Sequence, residues 1–523
     1  MADAAALQAV VEGHLERVRR IFEGLFHAGP PAPEDWGWLL EAKPGNTRAR
    51  EALAGRGFGD AERAHHHLAQ LVQGGMVTST GRLHLEELLP ELIASLSLSA
   101  DPDQALVRCV QIVGVYGAPG SFYGLLHAYP AFRTLLISIC GSSPFLAELV
   151  RRDPGLLDGL VSRQFERQEG WQGDPAAMLR HRNQELLRIG TDDLLGLATE
   201  EETFLRLTEL AEEILQAAYA LVMKRVVARL GRPRSRQGEA RFACFAGGKF
   251  GGRELDFGSD LDLFFVYEGE GKTGRTRTEN HLFFTELAQE LVRLLAEDNL
   301  YVVDTRLRPE GRNAPMVISA PAYRRYLADR AALWERLALS RARLVAGDAG
   351  LGRRLQLAMH RFVFGQSVDT RTAREVKEMR LRLEPRPELG QVGPVDLKRG
   401  AGGIVDIEFI AQILVLKLGR TQRDLRLTST RQVLSRLGQT GQLPPQEAQF
   451  LLDTYDRLRG IEKGMRLASD QAENTLPEGR ELAALARTVG QHGPEALLTE
   501  VTELMGRTRG LFNEIFAAFT DGS

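Results

Sequence analysis

The stretch from Gly247 to Gly269, GGKFGGRELDFGSDLDLFFVYEG, constrains the fold most because it places two carboxylates in an apolar run. Asp260 and Asp262 are one residue apart in DLDLFFVY, whose aromatic and aliphatic residues predict a strand. An unpaired carboxylate buried in such a strand lowers stability by several kcal/mol or becomes protonated. We therefore expect the Asp260 and Asp262 carboxylates to bind a cation.

Alternation along a strand puts Asp260 and Asp262 on the same face, with Cα atoms about 6.6 Å apart. Two carboxylates at this spacing repel each other, and a divalent cation allows both to stay ionised. Carboxylate oxygens suit Mg²⁺ or Mn²⁺, which proteins usually hold with few ligands and the phosphates of a substrate. The pattern thus predicts Mg²⁺, with Mn²⁺ as the alternative.

A third carboxylate, Asp304, lies in LYVVDTRLR (300–308), which predicts another strand. If the two strands are neighbours, three acids can hold two metal ions about 3.5–4 Å apart, an arrangement suited to phosphoryl transfer. Arg306 and Arg308 follow closely, and a guanidinium group suits the non-bridging oxygens of a triphosphate.

A glycine pair precedes the aspartates. Gly247 and Gly248 follow RFACFA (241–246), which predicts the first strand, and glycines there let backbone N–H groups approach a phosphate. Lys249 adds positive charge, as does Arg253. Taken singly, a DxD or a GG is common and often only caps a turn, so the prediction depends on the ordered combination. GxxxxGK[ST] and GxGxxG are both absent from this stretch, which argues against a P-loop and a Rossmann site.

Helical sequence surrounds this segment, with apolar residues recurring every three or four positions. We predict helices at 5–28, in short pieces between 60 and 165, at 201–230, after the loop GEGKTGRTRT (269–278), and beyond residue 335. The fold class is therefore α+β and mostly helical, and 523 residues suffice for roughly three or four domains of ~150 residues. The predicted domains are a helical or linker region (1–95), a helical domain (96–235), an α/β domain (236–335) and a C-terminal helical bundle (336–523).

Composition excludes several classes of protein. The net charge of −3 gives no reason to expect nucleic-acid binding through bulk electrostatics. The three cysteines lack CxxC spacing, which argues against disulfides and zinc and suits a reducing cytoplasm. No signal peptide is predicted at the N-terminus, and no apolar run approaches ~20 residues, so we expect no membrane span.

Two further motifs have simple interpretations. In PVDLKRGAGGIVDIEF (394–409), Asp406 and Glu408 are too close in sequence to share a helix face, and we expect them to cap a helix behind Gly402 and Gly403. The functional alternative is that this turn packs on the cleft, with Lys398 near a nucleotide. The triple histidine at 65–67 lacks an i,i+4 pair and a nearby acid cluster, so we expect no metal role.

The order of strand, Gly-Gly, Asp-Leu-Asp, helix and strand-borne Asp followed by Arg resembles the polymerase-β-type nucleotidyltransferase superfamily. More specifically, the segments GGKFGGRELDFGSDLDLFFVY, VDTRLRPEGRNAPMVIS and DLKRGAGGIVDIEFIAQILVLKLG resemble the glutamine synthetase adenylyltransferase family. The helical sequence at 121–161 is similar to the stretch before that family's transferase half. The resemblance covers nearly the whole chain and is weakest before residue 60. Ala246 and Phe250 depart from the family's usual GxGKLG.

The resemblance implies a nucleotidyltransferase α/β domain embedded between helical domains. A typical family member has two such domains, of which the N-terminal one removes AMP by phosphorolysis and the C-terminal one attaches it. This chain has one cassette, whose GSDLD and VDTRLRP are more similar to the attaching half. HLERVRRIFEGLF (14–26) resembles the end of the removing half, and DQAENTLP (470–477) is also similar to that half, which keeps the reaction's direction open.

The implied reaction transfers AMP from ATP to a tyrosine hydroxyl of glutamine synthetase, which regulates nitrogen assimilation. In the family, glutamine and a PII signal protein set the direction. By the resemblance, Asp260 and Asp262 bind Mg²⁺, and Asp304 completes the cluster and helps to deprotonate the tyrosine. The residues assigned to the nucleotide are Gly247, Gly248, Lys249, Ser259, Arg306 and Arg308.

Three alternatives stay open. The domain could remove AMP from adenylylated glutamine synthetase with phosphate as the attacking group. It could be a nucleotidyltransferase that acts on nucleic acid or on an antibiotic, although the net charge argues against nucleic acid. It could also be an inactive regulatory or binding module, but all three aspartates are in place.

Overall fold

The computed structural model describes residues 36–72, 77–99, 101–162, 170–236, 238–297, 299–311, 314–385, 395–468 and 474–519. The predicted helix at 5–28 lies outside these residues. The chain divides into two compact units, and the first comprises Met1–Glu166, Asn183–Thr203 and Leu467–Asp470. The second comprises Arg167–Arg182, Phe204–Arg466 and Gln471–Ser523. The predicted mostly helical α+β fold is confirmed.

Short helices build the described part of the first unit up to residue 162. They are α1 (Trp38–Glu41), α2 (Thr47–Ala54), α3 (Ala61–Gln70), α4 (Ser79–Ser97), α5 (Pro102–Tyr116), α6 (Pro119–Ala128), α7 (Pro130–Ser142), α8 (Pro144–Arg152) and α9 (Leu156–Ser162). Four successive helices, α5 to α8, begin with proline, whose fixed φ suits the first helical turn. Within the triple histidine, His65 is buried and its Nε2 lies 3.0 Å from the Leu39 carbonyl oxygen, which is a packing role.

Most of the second unit also consists of helices. They are α10 (Pro175–Leu194), α11 (Glu200–Leu230), α12 (Gly248–Gly251), α13 (Asn280–Glu297), α14 (Ala320–Asp329), α15 (Leu333–Leu339), α16 (Ala349–Phe364), α17 (Thr370–Arg382), α18 (Ile404–Leu418), α19 (Thr430–Gln439), α20 (Pro445–Ala468), α21 (Gly479–Thr488) and α22 (Pro494–Ala518), with 3₁₀ turns at Trp171–Gly173 and Arg423–Leu425. Helices α10, α11 and α20 contain residues of both units. The predicted helix at 201–230 is confirmed by α11.

Two sheets lie in the described part of the second unit. Their strands are β1 (Pro233–Ser235), β2 (Gly238–Glu239), β3 (Phe242–Ala246), β4 (Leu261–Tyr267), β5 (Gly271–Thr273), β6 (Val303–Asp304), β7 (Val317–Ser319) and β8 (Arg343–Gly347). In the five-stranded sheet, β3 pairs antiparallel with β4 and with β8, while β6 and β7 both run parallel to β4. The small antiparallel sheet has the order β2-β1-β5.

The predicted strands differ from the observed ones in length. The two strands around the glycine pair are confirmed as β3 and β4, whereas the strand predicted at 300–308 is only the two residues of β6. The predicted loop at 269–278 contributes β5. The sheet also gains β8 from beyond residue 335, and the division into four domains stays a prediction.

Aromatic side chains fix the large sheet in place. Phe242 of β3 stacks on Phe265 of β4 and on Phe284 of α13, with ring centroids 5.8 and 5.7 Å apart. Phe245 and Phe264 stack at 5.2 Å, on the opposite side of the sheet because side chains alternate along each strand. Stacked phenylalanine rings therefore pack on both faces of β4, the strand that carries Asp262.

Among the described residues, no single helix has the length and apolar character needed to cross a membrane. Two bent helix pairs, α5 with α6 and α7 with α8, pass that test by length and composition only.

Candidate active site

The predicted acidic residues meet at one end of the large sheet. Asp262 is the second residue of β4, and its register partner on the parallel strand β6 is Asp304. Partners in adjacent strands share a face of the sheet, so the two carboxylates lie side by side. Asp260 precedes β4 and is exposed, whereas the other two are partly buried.

The surroundings of Asp262 are strongly negative. Burial raises the pKa of its carboxyl group to about 6, and the charges of Asp304 and Asp260 add to the rise. The charges of Lys398 and Arg306 act in the opposite direction. The charge of Lys398 therefore acts at Asp262, and its position near a nucleotide stays a prediction.

The two arginines after β6 have different partners. Arg306 folds back on Asp304, since its backbone N–H lies 2.8 Å from Oδ1 and its Nε lies 2.5 Å from Oδ2. Arg308 instead donates to the Thr305 and Ala314 carbonyl oxygens, both at 3.1 Å, and holds the loop together. Arg306 thus lies at the acidic cluster, and Arg308 shapes the loop beside it.

The donor chemistry of this cluster suits a hard divalent cation, but a complete ligand set is not preformed. Among the described residues, no group of three His, Cys, Asp or Glu side chains is arranged to hold a metal ion. Asp304 is engaged by Arg306, while Asp260 and Asp262 can supply carboxylate oxygens from one side. Because Mg²⁺ is commonly held by one or two carboxylates together with substrate phosphates, the residues fit such an ion.

The glycine pair makes room for the Asp262 carboxylate. The Gly247 N–H donates to the Asp262 carbonyl oxygen at 2.9 Å, which ties the turn after β3 to β4. Gly248 has a φ of +51°, and a Cβ atom there would lie 2.1 Å from Asp262 Oδ2. A Cβ at Gly247 would lie 2.3 Å from Leu307 Cδ1. The sequence predicts that the backbone at this glycine pair approaches a phosphate closely. In the structure, the group that lies closest to Gly248 is the Asp262 carboxylate.

Lys249 and Ser259, both assigned to the nucleotide from sequence, have protein partners. Lys249 Nζ lies 2.9 Å from each carboxylate oxygen of Glu462 on α20, and burial lowers its pKa to about 8. The Ser259 hydroxyl accepts a hydrogen bond from the Asp256 N–H at 3.0 Å and closes the turn before Asp260. Their direct contact with a nucleotide stays a prediction.

The glycine-rich motif before α18 follows its simple interpretation only in part, since Asp406 lies in the first turn of α18 whereas Glu408 does not cap the helix. Asp406 accepts a hydrogen bond from the Gly402 N–H at 2.7 Å and also pairs with Arg380 and Arg509. Glu408 pairs with Arg341 at 3.0 Å. The two acids have separate partners, so neither is available to the aspartate cluster.

Sequence reasoning missed the charged residues of α20 that lie behind the glycine turn. Arg459, Glu462 and Arg466 are buried or nearly so, although charged residues rarely are. Their spacing of three and four residues along one helix face was the available signal, but their partners are about 200 residues away in sequence.

Comparisons with known proteins match two parts of the chain. Residues 133–357 match the family model of glutamate-ammonia ligase adenylyltransferase, and residues 374–516 match that of GlnD PII-uridylyltransferase.

Three similar curated proteins share the name bifunctional glutamine synthetase adenylyltransferase/adenylyl-removing enzyme. The protein of Thioalkalivibrio sulfidiphilus is 33% identical over 84% of this chain and 49% of its own length. The one from Nitrosococcus oceani is 33% identical over 90% and 53%, and the one from Methylococcus capsulatus is 32% identical over 79% and 45%. The chain spans about half the length of the curated relatives it matches.

The sheet and its facing aspartates lie within the residues that match the adenylyltransferase model, so this part of the chain is similar to nucleotidyltransferases. In particular, residues 133–357 are similar to the glutamate-ammonia ligase adenylyltransferase family. The resemblance predicted from the motifs is thereby confirmed.

Proposed function

We propose that the chain transfers AMP from ATP to a tyrosine hydroxyl of glutamine synthetase and releases pyrophosphate. The observation that carries this proposal is the register of Asp262 on β4 against Asp304 on β6, beside the glycine turn, within a domain of the adenylyltransferase family. The three cysteines are free and buried, which suits work in a reducing cytoplasm.

Each residue of the site has a separate role in the proposed reaction. Asp260 and Asp262 would hold Mg²⁺, which when bound neutralises charge on the triphosphate. Arg306 is largely exposed, so it can leave Asp304 and bind the non-bridging phosphate oxygens. Asp304, once released, accepts the tyrosine proton as the phenolic oxygen bonds to the α-phosphorus and the bond to pyrophosphate breaks. Arg308, Ser259 and the glycine turn keep these groups in position.

The second candidate is the reverse type of reaction, removal of AMP from adenylylated glutamine synthetase by phosphate. It is favoured by the relatives' names, which carry both activities. Both directions need the same path for the phosphates and differ only in the attacking group. We favour attachment because GSDLD and VDTRLRP are more similar to the attaching half of the family. Contact with a PII signal protein is proposed for residues 374–516 from the match to PII-uridylyltransferase.

A paired assay tests the direction with one enzyme stock. In the first arm, labelled ATP, Mg²⁺ and folded glutamine synthetase should yield AMP on a tyrosine, which peptide mapping locates. In the second arm, phosphate and adenylylated glutamine synthetase should yield little ADP. ADP production without AMP transfer would establish removal instead.

Variants connect this activity to the site. Asp260→Asn and Asp262→Asn should each lower transfer by orders of magnitude while leaving the thermal transition of the metal-free protein unchanged or raised, because like-charge repulsion is relieved. Asp329→Asn, at the exposed end of α14, is the matched control and should transfer normally. Near-normal turnover in either site variant would refute the assignment.

A further inference from the structure

Five charged side chains behind the glycine turn are buried or nearly so, and we refer to them as the α20 cluster. Its members are Lys249, Asp256, Arg459, Glu462 and Arg466. The last three come from α20, which lies within the segment that matches PII-uridylyltransferase. Lys249 lies on the short helix α12, and Asp256 lies in the loop between α12 and β4. The cluster therefore joins the catalytic loop to the C-terminal helices of the same unit.

Glu462 is the centre of this cluster. Its side chain is 1% exposed, and it lies 2.9 Å from Lys249 Nζ and 3.4 Å from both Arg459 and Arg466. Asp256 lies 3.7 Å from Arg466 and 4.0 Å from Arg459. All three cations thus share one fully buried carboxylate.

The arginines of α20 also bind the backbone of the catalytic loop. Arg459 donates to the Glu254 carbonyl oxygen at 2.9 Å, and Arg466 donates to the Phe257 carbonyl oxygen at 3.2 Å. Together with the pair at Lys249, these contacts fasten α20 to three points between Gly248 and Asp260. The loop that carries both the glycine turn and the first metal-site aspartate is therefore positioned by α20.

We propose that Lys249 is a positioning residue which, through Glu462, lets α20 set the geometry of the glycine turn and thereby the affinity for ATP. This inference rests on the proposed nucleotide site but assigns Lys249 a different role from the phosphate ligand predicted from sequence. Loss of Glu462 would leave three cations with a single carboxylate, so the loop would be displaced by their repulsion. Loss of Lys249 would leave Glu462 with two arginines, which is a milder change.

Glu462→Gln separates this role from direct phosphate binding. If Lys249 were a phosphate ligand withheld by Glu462, the variant would release it and tighten binding of ATP with Mg²⁺. Positioning predicts the opposite, a weakening of at least about tenfold with a lower kcat, because a displaced turn misplaces the reacting groups. Glu500→Gln is the matched control, since it removes a carboxylate paired with Arg457 on another face of α20, and it should leave ATP affinity unchanged.

Calorimetry with ATP and Mg²⁺, steady-state kinetics and thermal melting on the full chain give the readouts. Tighter or unchanged ATP binding by Glu462→Gln would overturn the inference. If Glu462→Gln fails to fold, Lys249→Met is used instead. An unaltered affinity of Lys249→Met for ATP would also contradict the positioning role of Lys249. In the double variant, the two effects should not add, since they act through one pair. If the unmodified chain does not bind ATP, both the proposed function and this inference are refuted. If the unmodified chain and Glu462→Gln bind ATP with the same affinity, only the inference is refuted.

Discussion

Gly248→Ala is the perturbation whose effect the structure specifies most closely. The new Cβ would lie 2.1 Å from Asp262 Oδ2, well inside the 3.0 Å that such contacts require, so the carboxylate must shift by about 0.9 Å. A misplacement of about 1 Å among reacting groups lowers rates by about 100-fold, which corresponds to about 2.7 kcal/mol in the barrier. We therefore expect a loss of about two orders of magnitude in AMP transfer.

Backbone strain accompanies this substitution and must be separated from it. Gly248 has a φ of +51°, and a left-handed conformation destabilises an ordinary residue by roughly 1–2 kcal/mol. Gly258 offers a matched control, because its φ is +65° but nothing lies within 4 Å of a Cβ added there. Both alanine variants should lose similar stability, and only Gly248→Ala should lose activity.

The assay combines urea denaturation with AMP transfer and with calorimetric binding of ATP and Mg²⁺. Equal loss of activity in the two variants would mean that strain in the loop, rather than contact with Asp262, governs the site. Full activity in Gly248→Ala would mean that the position of the Asp262 carboxylate is not critical, which would refute the reasoning.

Two further predictions concern stability. Asp406→Asn should lower the free energy of unfolding by about 3–5 kcal/mol in urea denaturation, because the fully buried Arg380 loses its buried charged partner and keeps only the partly exposed Glu384 at 3.5 Å; a loss below roughly 1 kcal/mol would contradict this. Hydrogen bonds from Arg151 and Arg152 lower the pKa of Glu148 from 4.5 to about 2, so its stabilisation is present above pH 4.5 and is lost as the pH falls towards 2. The difference in Tm between the parent chain and Glu148→Gln should shrink over that interval, and a constant difference would argue against the ion pairs.

Local patterns predicted the elements whose residues determine their own conformation. RFACFA and LDLFFVY form β3 and β4, and the long apolar periodicity at 201–230 forms α11. These segments carry their structural preference within a single window of sequence. The sequence supports the neighbouring position of the two acid-bearing strands only as a condition, and the register of Asp262 against Asp304 is a finding of the structure.

The features that the sequence did not predict depend on contacts between residues that are distant in sequence. The strand β8 has five residues and lies in the sheet because it pairs with β3, about 100 residues earlier. The strand predicted at 300–308 ends after two residues because Arg306 turns back to Asp304 and Arg308 bonds to its own loop. Lys249 was assigned to phosphate because its partner, Glu462, is 213 residues away and no local pattern indicates it.

The position of the acids along β4 explains how the chain tolerates them. Asp260 is exposed, Leu261 is fully buried, and Asp262 is only partly buried, whereas every residue from Leu263 to Tyr267 lies in the core. The carboxylates therefore lie at the end of the strand, where β6 contributes only two residues, and not among the stacked phenylalanines. Burial and the neighbouring charges of Asp304 and Asp260 raise the pKa of Asp262 to about 6. A bound divalent cation would offset the repulsion between these carboxylates. Their position at the end of the strand, outside the apolar core, is therefore suited to a metal ion.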